Sequence, residues 1–480
     1  MNRKRFSKKL LGSIVPLLVV AGFAAMQPTV TFAQTTAANV QGTSATADKL
    51  KLTKDLTKLI GDDGTHVPGL AVVVYKDGKK AYAKALGRRY IDATNPAKDL
   101  PMTLDTRFRI ASVSKQFTAL TIMQLVEAGK VNLDEEAGKY LGFNLRNPNF
   151  PNTPITLRML MSHTSSLRDG KMYAIPPSES VQQFFVPEGK YYEGGAHFAP
   201  ADQAPGKYFK YSNINYGILG TIIEKVTKER FDLYQKNHIL KQLGIKANYS
   251  PSEFTAQELK QLGTVYQKQQ GGVWAEKGPW VAQVDDPTSK AITQKGMVQI
   301  NNPDVRDTDA WYSLKNYVPG TNATVFSPQG GLRISANELS HLLEMYLQNG
   351  RYKGKQIVKP SLLKEMFTTQ WTYNPAVPNG KTYGGTIEAY GLAEQPFFGN
   401  GTSRVTKLPN LNFYGHLGEA YGLLSGVLLG PVPKDGFLYI SNGEAVAEDD
   451  DPRSAGVFSS NYIWEENIMD TICQNMFKNK

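Results

Sequence analysis

A serine and a lysine three residues apart, Ser112 and Lys115, are the residues of this 480-residue chain whose types and spacing best fit catalysis. Residues three apart lie on one face of a helix, so the hydroxyl and the amine can come within hydrogen-bond reach. A serine hydroxyl must lose its proton as it attacks a carbonyl, and a lysine whose pKa is lowered by its pocket can accept that proton. The same spacing recurs at Ser361 and Lys364, directly after Pro360, where it predicts an ordinary helix N-cap. Ser112 therefore needs partners elsewhere in the sequence before it can be interpreted as a nucleophile.

Two further motifs each occur once downstream of Ser112. Tyr211-Ser212-Asn213 is followed by apolar residues at helical spacing, which predicts that Tyr211 and Asn213 lie on a loop at the start of a helix. His416-Leu417-Gly418 precedes the strand-like run 423–429. Two Lys-x-Gly matches, at 76–78 and 434–436, lie between strand-like runs and are predicted to be hairpin turns.

Together these motifs resemble those of the β-lactamase-related serine hydrolases, the group that contains class C β-lactamases, D-alanyl-D-alanine carboxypeptidases, D-aminopeptidases and several esterases. The resemblance runs from about Val67 to Asn442. Smaller landmarks contribute to it: the stretch Thr156–Ser165, then Gly330-Gly331-Leu332, Tyr390-Gly391-Leu392 and Leu438–Asn442. These landmarks distinguish the pattern at Ser112 from the identical pattern at Ser361.

The resemblance implies a fold of the α/β class, of the α+β type, with an antiparallel sheet flanked by helices and a helix-rich lobe beside it. Strands predicted at 70–75 and 80–86 would pair in that sheet with C-terminal strands at 423–429 and 437–441. The active site would lie in the groove between sheet and lobe, with Ser112 at the start of a buried helix. The apolar residues that would bury this helix are Phe117, Leu120, Ile122 and Leu125.

The chemistry that the resemblance implies is acyl transfer that needs no metal and no organic cofactor. Ser112 would attack a carbonyl carbon, and Lys115 with Tyr211 would take its proton and later deliver it to the leaving group. Asn213 would position the substrate amide and the Lys115 amine. The backbone N–H groups of Ser112 and Glu419 would hold the oxyanion, and water would then release the acyl group.

The third motif departs from the Lys-Thr-Gly that penicillin-recognising relatives often carry, in which a cation and a hydroxyl help to bind a substrate carboxylate. Here His416 stands first, Leu417 removes the hydroxyl, and Gly418 is retained. On an extended strand Leu417 and Glu419 share a face, and a glutamate there would repel a carboxylate. The predicted substrate is therefore a small peptide, amide or ester of the D-amino-acid type that lacks a carboxylate at this point. A class C-like β-lactamase or DD-carboxypeptidase is one alternative, and a non-hydrolytic penicillin-binding-like sensor is another.

The N-terminus predicts export. Five basic residues within the first nine precede an uncharged apolar stretch at 10–26, and Thr31-Phe32-Ala33 offers a cleavage site before Gln34. An uncleaved membrane anchor is the alternative, which the glycines and the proline of the apolar stretch weaken. After cleavage no stable membrane insertion is expected, and the mature protein would be secreted or extracytoplasmic.

The expected organisation is a signal peptide at 1–33, a flexible lead-in at 34–48 and one catalytic domain at 49–480. The helical lobe and an insertion would lie within roughly 130–325. The least interpretable region, 251–326, contains three tryptophans and could line the substrate groove or pack as aromatic surface.

The amount and the distribution of charge bear on the class of partner. The formal charge of +11 falls to +6 when the five basic residues of the signal are removed. A mildly basic exported protein is compatible with anionic cell-wall components. The basic residues are scattered and form no nucleic-acid motif, so no nucleic-acid partner is expected.

Several residues with reactive side chains are interpreted as structural. Cys473 is the one cysteine, which excludes an intramolecular disulfide, and its helical context predicts a packed thiol. The acidic run 444–451 fits a solvated loop better than a cation site. His341 lacks the second histidine of a zinc helix, and His163 is expected to satisfy hydrogen bonds in its loop. Ser166 stands where relatives usually carry glycine, so the conformation of that loop is an open point.

Overall fold

The computed structural model describes residues 46–285, 295–300, 311–445 and 454–480. The chain divides into two compact units, 1–47 and 48–480, and everything below concerns the second. The predicted signal peptide, nearly all of the lead-in and most of the acidic run 444–451 lie outside the described residues. Among the helices that are described, none is long and apolar enough to cross a membrane.

Seven antiparallel strands form the central sheet. They are β1 (Gly69–Lys76), β2 (Lys79–Tyr90), β3 (Leu100–Pro101), β4 (Gln395–Phe397), β5 (Phe413–Ala420), β6 (Leu423–Leu429) and β7 (Gly436–Ser441). Their order across the sheet is β4-β5-β6-β7-β1-β2-β3. Leu70–Tyr75 pairs with Gly436–Ser441, so strands from both ends of the chain meet in the middle of the sheet, as predicted.

The two Lys-x-Gly motifs are turns, as their context predicts. Asp77 and Gly78 have φ angles of 52° and 78°, the left-handed pair that a two-residue hairpin requires. The second turn lies beside the first, because the Asp77 N–H donates to Asp435 Oδ1 at 2.6 Å and the Gly78 N–H donates to the Lys434 carbonyl at 2.9 Å. Both motifs are therefore structural.

The central strands β1, β6 and β7 are buried on both faces, because they carry apolar residues on each side. One face packs against the helical lobe through Ala71, Val73, Val427, Leu438 and Ile440. The other face packs against the first and last helices through Leu70, Val72, Leu424, Leu428 and Phe437. Strand runs buried on both sides read as continuous apolar segments, which is why the sequence predicts them well.

The helices pack on these two faces. Their bounds are α1 (46–57), α2 (Ser114–Glu127), α3 (Ala137–Leu141), α4 (Leu157–Met161), α5 (Ile214–Thr227), α6 (Phe231–Tyr234), α7 (Ala256–Leu259), α8 (Ala336–Leu347), α9 (Pro360–Phe367) and α10 (Ile463–Met476). Helices α2 and α5 pack against each other in the lobe, and α8 packs on β1 and β7. The helix α10 lies on the opposite face of the sheet with α1.

Short strands form smaller ribbons around this framework. They are Arg107–Arg109 with Arg333–Ser335, Val265–Gln270 with Val273–Trp274, Trp280–Val284 and Gly443–Glu444, Met297–Gln299 with Trp311–Ser313, Arg351–Tyr352 with Lys355–Gln356, and Trp371–Thr372 with Ala389–Tyr390.

The second Ser-x-x-Lys pattern lies on α9, but the prediction that Ser361 caps this helix was wrong. The N-cap is Lys359, Pro360 takes the first helical position, and Ser361 lies within the first turn. Proline has a fixed φ that suits the first helical position, and the helix therefore begins before the serine. Ser361 and Lys364 are both exposed to solvent.

Candidate active site

Ser112 lies on a single 3-10 turn, Ala111–Val113, that leads directly into α2. Side chains three residues apart eclipse one another on such a turn, which brings Lys115 over Ser112. Ala111 has a φ of 44°, a left-handed angle that is uncommon outside glycine and marks a sharp entry into the helix. The Leu332 N–H donates to Ser114 Oγ at 3.1 Å and fixes the turn against the Gly330-Gly331-Leu332 segment.

The Lys115 amine is fully buried and is surrounded by three oxygen atoms. Its Nζ lies 3.0 Å from Ser112 Oγ, 3.0 Å from Asn213 Oδ1 and 3.0 Å from the Gln329 carbonyl oxygen. A protonated amine would donate to all three. A neutral amine would donate its two N–H groups to the amide and the carbonyl, leaving its lone pair for the Ser112 hydroxyl to donate to.

Burial lowers the pKa of Lys115 from 10.5 to about 7, and the nearby Asp169 carboxylate opposes that shift. Desolvation disfavours the charged amine, and no carboxylate touches it directly to compensate. A substantial fraction of the amine is therefore neutral near pH 7, the state in which it can accept a proton.

Tyr211 is held against Lys115 by stacking. Its ring lies 4.2 Å from the His163 ring, centre to centre, and 4.7 Å from Lys115 Nζ. Burial raises the pKa of the phenol far above its usual value, and the Ser112 hydroxyl lowers it by a smaller amount. The phenol is therefore neutral at physiological pH, and it can pass a proton but not act as a phenolate base.

The His163 ring makes its hydrogen bonds outside its own loop, contrary to the expectation from the sequence, because it lies against the segment that contains Ser212 and Asn215. Its Nδ1 accepts from the Ser212 N–H at 3.1 Å and lies 3.2 Å from Asn215 Nδ2. Burial, followed by the charges of Lys115 and His416, lowers the pKa of His163 well below its ordinary value. A neutral His163 thus holds the Tyr211-Ser212-Asn213 loop by both stacking and hydrogen bonding.

Asn213 occupies the N-cap position of α5, as the sequence predicts for a loop at a helix start. Its own side chain makes no capping bond there and instead faces Lys115. The structure therefore brings Ser112, Lys115, Tyr211 and Asn213 into one cluster from two separate helix starts.

His416 lies on β5 and is neutral. The Tyr390 hydroxyl donates to its Nε2 at 2.8 Å, and its Nδ1–H donates to the Leu417 carbonyl oxygen. Burial, followed by the charge of Lys115, lowers the pKa of His416 to about 3. Both ring nitrogens are engaged with the protein, so His416 supplies no cation to a ligand.

Gly418 allows β5 to pass against the nucleophile turn. A Cβ at this position would lie 2.7 Å from the Ile110 carbonyl oxygen and 3.1 Å from the Ser112 nitrogen. The Ser425 hydroxyl joins the same point by donating to the Ile110 carbonyl at 2.9 Å. Only glycine permits this approach, which places the strand backbone beside the Ser112 N–H.

A cavity of about 1050 Å³ opens over this cluster. Its walls include Ser112, Tyr211, Asn213, Tyr383, Ile387, His416, Leu417, Gly418, Glu419, Tyr462 and Glu465. Leu417 and Glu419 both face it, as their shared strand face predicts. Its described lining contains two carboxyl groups, on Glu419 and Glu465, and no lysine or arginine.

The region 251–326 does not line this cavity with any residue that is described. Trp280 instead packs in the core beneath the sheet and is 8% exposed. Its ring lies near Gly443, whose strand pairs with Val265–Gln270. For the described part of this region, the groove-lining interpretation was wrong, because none of its residues is in the cavity wall and its strand Val265–Gln270 pairs instead with Gly443–Glu444.

The reactive side chains outside the motifs were interpreted from the sequence as structural. Cys473 is fully buried in α10, as predicted for a packed thiol. Within the described ranges no three histidine, cysteine or carboxylate side chains lie together as metal ligands would. Sequence reasoning missed the contact of the Gln329 carbonyl with Lys115 and the contact of Tyr390 with His416. Gln329 directly precedes the landmark Gly330-Gly331-Leu332, and Tyr390 is the first residue of the landmark Tyr390-Gly391-Leu392.

Two curated proteins illustrate the relatives of this sequence. Protein flp of Staphylococcus aureus (strain NCTC 8325 / PS 47) is 28% identical over 261 residues, which cover 52% of this chain and 49% of the relative. The chain thus matches about half the length of this relative. The N-acetylmuramyl-L-alanine amidase of Bacillus subtilis (strain 168) is 26% identical over 384 residues, covering 72% of this chain and 77% of the relative.

Solved structures share the fold. A β-lactamase/D-alanine carboxypeptidase from Yersinia pestis superposes with a TM-score of 0.57 at 16% identity, covering 90% of this chain and 99% of its own. The D-amino acid amidase of Ochrobactrum anthropi SV3 gives a TM-score of 0.55 at 19% identity, covering 89% and 99%. The family model described as Beta-lactamase matches residues 53–459. A match over most of the chain, on this fold, means that the protein belongs to the beta-lactamase family of hydrolases.

Proposed function

We propose that this protein is an exported serine hydrolase that cleaves an amide or ester through an acyl-enzyme on Ser112. The observation that carries the proposal is the buried Lys115 amine, 3.0 Å from Ser112 Oγ with a pKa lowered to about 7. A hydroxyl beside a buried, partly neutral amine is the arrangement that activates a serine nucleophile.

Acylation begins when Ser112 Oγ attacks the substrate carbonyl and its proton passes to Lys115 Nζ. The Asn213 amide and the Gln329 carbonyl keep the amine in place, because they accept its two N–H groups. The oxyanion is held by the backbone N–H groups of Ser112 and Glu419, beside the close approach at Gly418.

Collapse of the tetrahedral intermediate needs a proton on the leaving amine or alcohol. Lys115 returns the proton it took, with the neutral Tyr211 phenol as the relay. Water then attacks the acyl-enzyme, with the same groups acting as base, and frees Ser112. No step requires a metal or an organic cofactor.

The substrate we propose is a small peptide, amide or ester of D-amino-acid type that has no free carboxylate near β5. Three features support this choice: a neutral His416, a leucine in place of a hydroxyl residue at 417, and a carboxyl-bearing cavity wall. An anionic substrate group would lie beside the Glu419 carboxyl group, and the described lining of the cavity contains no lysine or arginine. The name of the Bacillus subtilis relative, an amidase, agrees with an amide substrate.

Covalent labelling tests the nucleophile. A fluorophosphonate probe followed by intact mass should give one adduct on the wild type and none on Ser112→Ala. Ser361→Ala is the matched control, because it removes the exposed serine of the second Ser-x-x-Lys pattern. Equal labelling of Ser112→Ala would refute the assignment.

A substrate panel tests the reaction. D-aminoacyl amides and short esters are expected to turn over faster than a cephalosporin or a D-Ala-D-Ala peptide. The reverse order would favour the β-lactamase or carboxypeptidase alternative. Labelling at Ser112 without turnover of any substrate would favour a penicillin-binding-like sensor.

Export is proposed from residues 1–33, which lie outside the described part. Expression in a secreting bacterium should yield a mature protein that begins near Gln34, as read by N-terminal mass analysis. A retained N-terminus in the membrane fraction would favour the anchor instead.

A further inference from the structure

Asp169 is a carboxylate outside the motifs that directs two hydrogen-bond acceptors at the start of α5. It lies in the loop that follows α4, and it is partly buried. Its Oδ1 accepts from the Ile214 N–H at 2.8 Å, and its Oδ2 accepts from Asn213 Nδ2 at 3.3 Å. The carboxylate thus caps the helix that Asn213 itself leaves uncapped.

The contact with Asn213 decides which way its amide points. A carboxylate can only accept, so Asp169 binds the NH₂ end of the amide and turns Oδ1 toward Lys115. In the flipped orientation Oδ1 would face the carboxylate and Nδ2 would face the Lys115 N–H groups. Both contacts would then be repulsive. Besides Ser112, the Lys115 amine would keep only the Gln329 carbonyl as an acceptor.

Asp169 also acts on Lys115 through its charge. Its carboxylate raises the pKa of Lys115, in opposition to the larger effect of burial. The other titratable groups that face the amine are His163, His416, Tyr211 and Tyr216, which are neutral near pH 7. Asp169 itself is faced by Arg168, His197, Lys210 and Tyr383.

We propose that Asp169 is a positioning residue of this active site, which fixes the Asn213 amide so that Oδ1 receives the Lys115 amine. The proposal rests on the proposed role of Lys115 as the base. Asp169 would thus be a site residue that belongs to neither of the two motif pairs, Ser112-Lys115 and Tyr211-Asn213. Asp169 touches neither Ser112 nor the reacting carbonyl and acts through Asn213.

The test is Asp169→Asn, assayed with a short ester across pH 5 to 9. We expect kcat/KM to fall by about 10- to 100-fold, because the amide of Asn213 is no longer held in one orientation. We also expect the acidic limb of the profile to move to lower pH, because the amine loses a neighbouring negative charge. Asp169→Glu keeps the charge, and its limb should return toward that of the wild type.

Asp202→Asn is the matched control, because Asp202 is an exposed carboxylate on the same lobe. If Asp169→Asn does not fold, Asp169→Ser serves as a second uncharged variant whose hydroxyl can accept from Ile214. An unchanged rate and an unmoved acidic limb in a folded, uncharged variant would overturn the proposal. Loss of Ser112 dependence in the labelling experiment would instead overturn the proposed function, so the two failures are distinguishable.

Discussion

At the residue scale, the chemistry depends on how the protein keeps a lysine uncharged. Three neutral oxygens surround the amine. The Asp169 carboxylate does not touch the amine and contacts it only through the Asn213 side chain. A carboxylate in direct contact would have restored the pKa toward that of a solvated lysine. The amine therefore lacks the stabilisation of a direct ion pair, and this lets it act as a base near neutral pH.

The first prediction concerns pH. Since the neutral amine is the active form and its pKa is about 7, kcat/KM should rise with pH up to about 7 and level off above it. Lys115→Arg should lose about 100-fold or more at every pH, because a guanidinium stays protonated. The measurement is kcat/KM for a neutral ester from pH 5 to 9. A profile that stays flat through pH 6 to 8 would exclude Lys115 as the base.

A second prediction concerns Glu419 and charge selection. Removing the charge with Glu419→Gln should raise kcat/KM for an ester with a free carboxylate about five-fold or more, relative to its uncharged analogue, which corresponds to about 1 kcal/mol of repulsion. Glu188→Gln, on an exposed carboxyl outside the cavity, is the control. The competition is best measured with both esters in one mixture. An unchanged ratio would show that Glu419 does not select against anions.

The sequence predicts the site residues whose side chains carry the chemistry and misses those that act through the backbone or through orientation. Ser112, Lys115, Tyr211 and Asn213 stand in recognisable spacings, and the structure brings them together. The Gln329 contact uses a carbonyl that every residue possesses, so no residue type reveals it. The hydrogen bond at His416 Nε2 likewise comes from Tyr390, which is 26 residues away in sequence.

At the scale of elements, the loop after α4 positions the Tyr211 motif and contains two strained residues. His163 and Ser166 have φ angles of 56° and 65°, in the region that favours glycine. A glycine would adopt this angle without strain, which agrees with the glycine that the resemblance implies at position 166. Ser166 adopts the left-handed angle itself, so the open point from the sequence is one of backbone strain.

The third prediction follows from that strain. Ser166→Gly should raise the free energy of unfolding by about 1 kcal/mol, because it relieves the left-handed angle and removes a buried hydroxyl that has no hydrogen-bond partner. Ser165→Gly is the control and should lower it, because Ser165 Oγ donates to Asn215 Oδ1 at 2.6 Å and accepts from the Leu167 N–H. Urea unfolding of the three proteins gives the comparison. Destabilisation by both variants would contradict the strain argument.

The elements themselves were predictable to different degrees. Strand runs such as Leu423–Leu429 appear with the predicted bounds, because a strand buried on both faces is a continuous apolar segment between turns. The start of α9 was misplaced, because proline overrides the capping preference of the following serine. The ribbons within 251–326 are short and mixed in composition, and their burial depends on partners such as Gly443 far along the chain.

At the scale of the whole catalytic unit, 48–480, strands from its beginning and its end pair in one sheet. The strands β1 and β2 complete their sheet with β7, and α10 covers the face opposite the helical lobe. The nucleophile turn and the core around Ile472 pack on opposite faces of the same central strands, although the first turn of α10 reaches the cavity through Glu465. Damage to that core should therefore lower stability without altering the chemistry directly.

Ile472→Ala tests this separation. Ile472 is fully buried in the core between α10 and the sheet, and truncating it should lower the free energy of unfolding by about 2–5 kcal/mol through lost burial and a residual cavity. Activity per folded molecule should stay within about two-fold of the wild type at 25 °C, because no contact of Lys115 or Ser112 changes. His238→Ala, on a side chain that is 47% exposed, is the stability control. Urea unfolding combined with active-site titration separates the two effects. A loss of kcat/KM in the fully folded variant would mean that packing changes in this core reach the site, through the sheet or through Glu465 on α10, and that the two faces do not act independently.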